Sequence, residues 1–380
     1  MKAFIVAGEH SGDQLGRALM AALRVAQPDI TFEGVGGPAM ESEGLASLFP
    51  LSDIAVMGFT PVLRRLPTVL ARIAATARAV VAAQPDVLIL IDSPDFTHRV
   101  AARARHALPH LRVVDYVSPT VWAWRPGRAK AMTRIIDHVL ALLPFEPAAH
   151  ARLGGPACTY VGHPLIERLD VLRGPRPPED GPPLLLVLPG SRRTEIERLT
   201  PDFGAAVARV AQACGLLDVA LPAVGHLEGL IRQRVAGWPT PPCIVLGEAA
   251  KFAAFRRARA ALAASGTVTL ELALAGVPMV VAYRVSRVEE LLRFVVTAPS
   301  IVLPNLILGD RSIPELLQHD CTPQALADAL IPLLGDTPAR AAQLAALQRL
   351  DALMRLDDGD TPSARAARIV LEVAGAAHSG

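Results

Sequence analysis

Val87-Leu88-Ile89-Leu90-Ile91 and Leu184-Leu185-Leu186-Val187-Leu188 are apolar at every position. A strand with one face in water alternates in polarity, so a strand with no polar position has both faces covered. Lys2–Ala7, Arg112–Val117, Ile136–Leu142, Val219–Pro222, Cys243–Leu246 and Ala260–Ala264 add further short β-type runs. Helix-type stretches such as Gln14–Ala26 and Arg193–Cys214 stand between them. This alternation predicts parallel sheets covered by helices. From about Pro323 the pattern turns wholly helical, ending in Asp336–Leu356 and Pro362–Ala376. The expected fold class is α/β, with two Rossmann-like domains facing each other across a cleft and a helical C-terminal tail.

A chain of 380 residues has the length of two domains. The break falls at Gly174–Pro183, where five prolines and two glycines exclude helix and central strand. The expected segments are an N-terminal Rossmann-like domain at 1–172, a Pro-rich linker at 173–183, a second Rossmann-like domain at 184–335 and a helical tail at 336–380. That tail is expected to pack back on the N-terminal domain or on a partner subunit. Hydrophobic residues make up 51% of the chain, which excludes disorder. A net charge of +2 and an aromatic content of 4% argue against a nucleic-acid grip built on bulk charge or base stacking, so no nucleic-acid partner is expected. Cys158, Cys214, Cys243 and Cys321 fit no zinc spacing and read as reduced, buried thiols of a cytosolic protein. The N-terminus lacks the apolar core of a signal peptide. Arg64, Arg65, Arg72 and Arg78 interrupt the apolar stretch Val56–Leu90, so no bilayer span is expected.

In open α/β sheets, ligands bind beyond the carboxyl ends of the strands, and the loops there carry unusual chemistry. After the first strand, Gly8-Glu9-His10-Ser11-Gly12-Asp13 lets backbone approach a ligand at a helix start. It lacks the dinucleotide and P-loop signatures. Glu9 suits sugar hydroxyls better than a phosphate; Gly8 and Ser11 join it as candidate binding residues. The alternative is a tight turn with Ser11 or Asp13 as helix cap. Asp92, at the end of the Val87–Ile91 strand and before Ser93-Pro94-Asp95, is a rigidly held candidate base; Asp95 reads as a cap. Ser118–Arg125 places Trp122 and Trp124 in one loop of a chain poor in aromatics. In the second half, Gly190-Ser191-Arg192 outlines a pyrophosphate site at a helix start. Ser265-Gly266-Thr267 repeats that logic, with Glu271 one turn on as an acceptor for ribose hydroxyls. Asp358-Gly359-Asp360 has a D-x-D form but falls between helices and reads as a turn. The scattered histidines show no metal spacing, and no metal or other cofactor is expected.

Together these segments resemble the lipid-A-disaccharide synthases, inverting glycosyltransferases of the two-Rossmann (GT-B) type. The matching residues run in order along nearly the whole chain: Gly8-Glu9 with Ser11-Gly12-Asp13, Ala55-Val56-Met57-Gly58, Ile91-Asp92 with Pro94-Asp95-Phe96, Val121-Trp122-Ala123-Trp124-Arg125, Leu143-Pro144-Phe145-Glu146, Val161-Gly162-His163, Leu188–Arg192, Ala264–Thr267 with Leu270-Glu271, and Leu303-Pro304-Asn305-Leu306. The resemblance implies transfer of 2,3-diacylglucosamine from UDP-2,3-diacylglucosamine to 2,3-diacylglucosamine 1-phosphate. It implies catalytic roles for Asp92 and Arg192 and importance for Glu9 and Asn305. Ser191, Ser265, Gly266, Thr267 and Glu271 fall in the nucleotide-binding segments. It further implies a homodimer with exchanged C-terminal segments, and peripheral association with the inner-membrane phospholipid surface on the cytoplasmic side of a Gram-negative bacterium. Two stretches mix apolar residues with arginines, 57–83 and 284–299, and are expected to form that membrane-facing patch. His10 departs from the small residue many relatives carry.

The competing readings are another UDP-sugar protein of this fold, such as a UDP-N-acetylglucosamine 2-epimerase or an undecaprenyl-linked glucosaminyltransferase, and a non-catalytic two-lobed binding protein. The double-tryptophan loop and Ile91-Asp92-x-Pro-Asp-Phe argue against the first pair, and the missing export signal against the last.

Overall fold

A computed structural model describes residues 1–54, 59–175, 181–285, 298–356 and 359–375, with backbone alone for 59–65. The chain forms two compact units, Met1–Ile166 with the segment from Leu356 onward, and Glu167–Arg355.

The first unit is built on a six-stranded sheet of order β2-β1-β3-β4-β5-β6, parallel throughout. Its strands are β1 (Lys2–Ala7), β2 (Thr31–Val35), β3 (Val87–Ile91), β4 (Arg112–Tyr116), β5 (His138–Ala141) and β6 (Ala157–Tyr160). All five β3 residues are buried, because alternate side chains enter two different cores. Ile89 and Ile91 join Leu19, Met20 and Leu23 of the His10–Ala26 helix; Leu88 and Leu90 join Ile73, Ala77 and Val80 of the Phe59–Ala83 helix. Each leucine, isoleucine, valine or methionine so withdrawn from water contributes about 1.5–3 kcal/mol before entropy is counted. The Leu66–Ala83 window is long and apolar enough to cross a membrane by composition, but Ile73, Thr76, Ala77 and Val80 form a buried stripe at helical spacing against the sheet.

The second unit repeats the plan. Its parallel sheet has the order β12-β11-β10-β7-β8-β9. The strands are β7 (Leu184–Leu188), β8 (Asp218–Ala223), β9 (Cys243–Leu246), β10 (Ala258–Ala264), β11 (Met279–Tyr283) and β12 (Glu315–Leu317). The Arg193–Cys214 helix buries Ile196, Leu199, Phe203, Val207 and Val210 against it. The Leu169–Arg173 helix belongs to this unit; the Arg173 guanidinium donates to Leu274 O (2.6 Å) and Asp351 Oδ1 (2.8 Å).

The helical tail divides. Pro338–Met354 lies in the second unit, whereas Pro362–Gly375 inserts Ala366, Ala367, Ile369 and Val370 into the core formed by Ala3, Ile5 and Ile89 of the first.

Three expectations need correction. The glycine-bearing turn after β1 is shorter than expected: the helix starts at His10, and Ser11, Gly12 and Asp13 form its first turn behind an extended Glu9. Asp13 does not cap that helix; its carboxylate accepts the amides of Gly37 (2.8 Å), Ala39 and Met40 (3.0 Å each), at the start of the Pro38–Ser42 helix. Of the four cysteines, all free, only Cys321 is buried, while Cys214 and Cys243 are exposed at a helix end and on the edge strand β9.

Candidate active site

In each sheet the strand order reverses at one place, and the crevice there is where an open α/β sheet binds ligands. In the first unit the reversal lies between β1 and β3, with β2 outside β1 and β4 beyond β3. Glu9 and Asp92 follow directly on those two strands. Gly8 N donates to Ile91 O (3.2 Å), and Ser93 Oγ to Glu9 Oε1 (3.3 Å). Ser11 Oγ lies 3.5 Å from Asp92 Oδ2, while the Ser93 amide donates to Asp92 Oδ1 at 2.7 Å. Asp92 and Ser93 both adopt left-handed backbone (φ 59° and 45°). Residues other than glycine are uncommon there, and such strain clusters where geometry serves function. The strained pair is held by Asp92 N on Tyr116 O (3.1 Å) and Thr97 Oγ1 on Asp92 O (2.9 Å). Asp95 does not cap the following helix; it is exposed and pairs with Arg128.

The double-tryptophan loop follows β4, next to β3. Its two rings have different fates. Trp122 packs edge-on against Phe145 (5.1 Å between centroids) and donates Nε1–H to Glu146 Oε1 at 3.1 Å. Trp124 is exposed, with the Arg125 guanidinium 4.1 Å from its ring centroid. Beneath the loop lie groups that sequence reasoning did not single out. Glu146 is buried and accepts Leu143 N (3.0 Å); burial raises its pKa to about 7, against the opposing pull of its hydrogen bonds. His150 Nε2 lies 2.9 Å from Ser118 Oγ, and burial lowers the pKa of its imidazole. Glu146 stood within a motif, but only the fold reveals that it is enclosed.

In the second unit the reversal lies between β7 and β10. A pocket of about 570 Å³ opens there, lined by Gly190, Ser191, Arg192 and Glu195 after β7 and by Ser265, Gly266, Thr267 and Glu271 after β10. The loops after β8 and β9 supply Pro222–Gly225, Val245 and Gly247, with Glu248 and Lys251 from the next helix. Every second-unit residue expected from the sequence is in this pocket except Asn305.

The loop after β7 differs from expectation in one respect. The Ser191 and Arg192 amides donate inward to Glu195 Oε2 (3.1 and 3.2 Å), and Glu195 Oε1 accepts from Tyr283 Oη (3.2 Å). Glu195 thus occupies the Ser191 and Arg192 amides at the expected phosphate site, and its Oε1 also lies 3.4 Å from Nη1 of Arg192, whose side chain is 66% exposed. Gly190 (φ 109°) is required, because a Cβ there would lie 2.3 Å from Glu195 Oε2. The start of the Thr267–Leu274 helix carries no side-chain cap, and around Gly266 (φ 155°) there is open space. The Thr269 amide donates to Gly266 O (3.1 Å), and the Thr267 and Val268 amides ahead of it, at the helix start, suit an anion.

Asn305 is buried. Its Nδ2 donates to Ile313 O (2.9 Å) and Glu315 Oε1 (2.7 Å), while Oδ1 accepts Ile313 N (3.0 Å). Glu315 also accepts from Ser300 Oγ and Ile301 N, and Ile301 O accepts Ser265 Oγ (2.7 Å). Asn305 therefore reaches the pocket through other residues.

The Ala55–Gly58 motif, Asp358, most of the 284–299 stretch and the Arg64 and Arg65 side chains lie outside the described residues.

Solved structures similar to this chain include Neisseria meningitidis UDP-GlcNAc 2-epimerase bound to UDP-GlcNAc (TM-score 0.59, 11% identity, 98% of this chain and 99% of that one). Another is Acinetobacter baumannii MurG (TM-score 0.58, 13% identity, 98% and 99%). Two parallel six-stranded units with a terminal helix define the GT-B class. The lipid-A-disaccharide synthetase family model matches residues 3–366, and the chain belongs to that family. Relatives described as lipid-A-disaccharide synthases are 55% identical in Nitrobacter hamburgensis (97% of this chain, 94% of the relative) and 46% identical in Rhodospirillum centenum (97% and 94%). Its activity is that of an inverting glycosyltransferase joining two glucosamine-based units into the lipid A disaccharide.

Proposed function

We propose that the two switch-point loops divide the transfer of 2,3-diacylglucosamine from UDP-2,3-diacylglucosamine to 2,3-diacylglucosamine 1-phosphate. The first unit serves the acceptor: Asp92 takes the proton of its 6-hydroxyl as that oxygen attacks the anomeric carbon, on the face opposite UDP. The bond from that carbon to the diphosphate oxygen breaks, and the products are the β-1,6-linked disaccharide 1-phosphate and UDP. Glu9, Gly8 and Ser11 shape the loop and accept sugar hydroxyls, and exposed Trp124 offers a flat apolar surface to the substrate. The second unit serves the donor: Glu271 binds the ribose. Ser191, Ser265 and the amides at Gly266 and Thr267 hold the diphosphate, and Arg192 neutralises the charge that develops on the leaving group. Asn305 positions the Ser265 loop through Glu315.

The observation that supports this division is the coincidence of the candidate residues with both strand-order reversals. An assay following disaccharide and UDP release tests it. Asp92→Asn is expected to lower kcat by about 10²–10⁴-fold, with UDP affinity retained. Near-parental turnover in that variant removes Asp92 as the base.

A second reading concerns location. Leu66 and Leu70, four apart, are 41% and 40% exposed on the helix whose other side enters the core. They support peripheral binding to the cytoplasmic surface of the inner membrane. Sedimentation with anionic phospholipid vesicles is expected to weaken in Leu66→Glu/Leu70→Glu; unchanged binding removes this face. The homodimer implied by the family is tested by sedimentation velocity on the full chain.

A further inference from the structure

Glu271 has a partner that the family resemblance did not bring forward. Lys251 Nζ donates to Glu271 Oε2 at 2.8 Å, and both side chains are largely withdrawn from water, at 25% and 17% exposure. Lys251 is itself fixed: its ammonium lies 4.9 Å from the Phe252 ring centroid and 5.7 Å from that of Phe255. Arg168 Nη1 donates to Glu248 Oε2 at 2.9 Å, and the Arg168 guanidinium lies 5.4 Å from the Phe252 centroid. Glu248 is one turn before Lys251, and its carboxyl is held below the ordinary range by Arg168 first and by Lys251 as a further contribution. Charge alternates along Arg168, Glu248, Lys251 and Glu271, and the last three line the pocket.

An isolated carboxylate in a pocket for a nucleoside diphosphate has two faults. Its free rotation costs affinity whenever a ligand must freeze it, and its charge repels the diphosphate. A cation on one oxygen removes both, leaving the other oxygen to accept from a ribose. We infer that Lys251 is a positioning residue for nucleotide recognition, orienting Glu271 so that Oε1 meets the ribose hydroxyls. This rests on the assignment of Glu271 to the ribose.

Titration calorimetry of UDP and 2′,3′-dideoxy-UDP on the full chain tests it. The parent is expected to prefer UDP by about 30-fold or more, since hydrogen bonds to a charged acceptor are worth roughly ten-fold each. Glu271→Gln is the control: if it keeps the parental preference, the ribose assignment fails. If Glu271→Gln loses the preference, Lys251→Met should lower it by at least about five-fold and Lys251→Arg should recover most of it. A parental preference in Lys251→Met beside its loss in Glu271→Gln overturns the inference. A purely structural role for Lys251 would weaken both ligands equally and leave their ratio unchanged, which overturns it as well.

Discussion

Gly8 and Ser93 approach so closely that a Cβ on residue 8 would lie 2.2 Å from the serine Cβ and 2.4 Å from its Oγ. Ser93 cannot yield cheaply. It shares the left-handed bend with Asp92 and holds the Asp92 carboxylate through its amide. The first loop and the candidate base are therefore a single fitted piece.

Gly8→Ala is expected to push Ser93 aside and misplace Asp92, lowering kcat/KM by about 100-fold, as displacements near 1 Å do. Adding Ser93→Gly should recover part of that loss. Steady-state rates of both variants check this; an active Gly8→Ala protein would mean the bend carries no weight.

Arg192 stands out from a loop whose inner amides Glu195 already occupies. Arg192→Ala should lower kcat/KM by about 10²–10³-fold, and Arg192→Lys should remain well below the parent because an ammonium lacks the two-pronged fork. Rates at saturating acceptor decide it.

Glu146 has its pKa raised from 4.5 to about 7 by burial. The folded protein keeps the proton that the unfolded chain releases, so the stability this group provides is full below pH 4.5 and is lost as pH rises through 7. Relative to Glu146→Gln, neutral throughout, the parent is expected to lose about 2–3 kcal/mol between pH 5 and pH 8, because each tenfold difference in proton affinity between the folded and unfolded chain is worth about 1.4 kcal/mol. Urea unfolding of both proteins across that range measures the difference; parallel pH profiles would contradict it.

Asn305→Ala leaves the Ile313 amide and carbonyl without their partners and frees Glu315 to turn away from Ile301. It should cost about 2–3 kcal/mol and raise KM for the UDP-sugar through the Ser265 loop. Thermal unfolding and donor titration together check this.

Much of the architecture was legible because β3 and β7 are uniformly apolar, a pattern that almost only covered parallel strands carry. β2 was not: Thr31-Phe32-Glu33-Gly34-Val35 is polar and short, and it becomes a strand because β1 offers an edge for pairing. The switch-point loops were legible from their residue types. Glu195 and Lys251 were not, because a carboxylate three residues into a helix and a lysine on another reveal nothing until folding turns them toward Ser191 and Glu271. The alternative of Asp13 as a cap of its own helix fails for a related reason: its partners, Gly37, Ala39 and Met40, are distant in sequence. The exposure of Cys214 and Cys243 depended on where a helix ended and which strand lay outermost.

The Pro362–Gly375 helix closes a core whose first strand begins at Lys2. During synthesis, β1 and β3 must wait, one flank covered only in part by the His10–Ala26 helix, while the entire second unit emerges and folds. A transcript cut short after Arg355 would thus spoil the beginning of the protein rather than its end, because the missing helix belongs to the unit that starts at Met1.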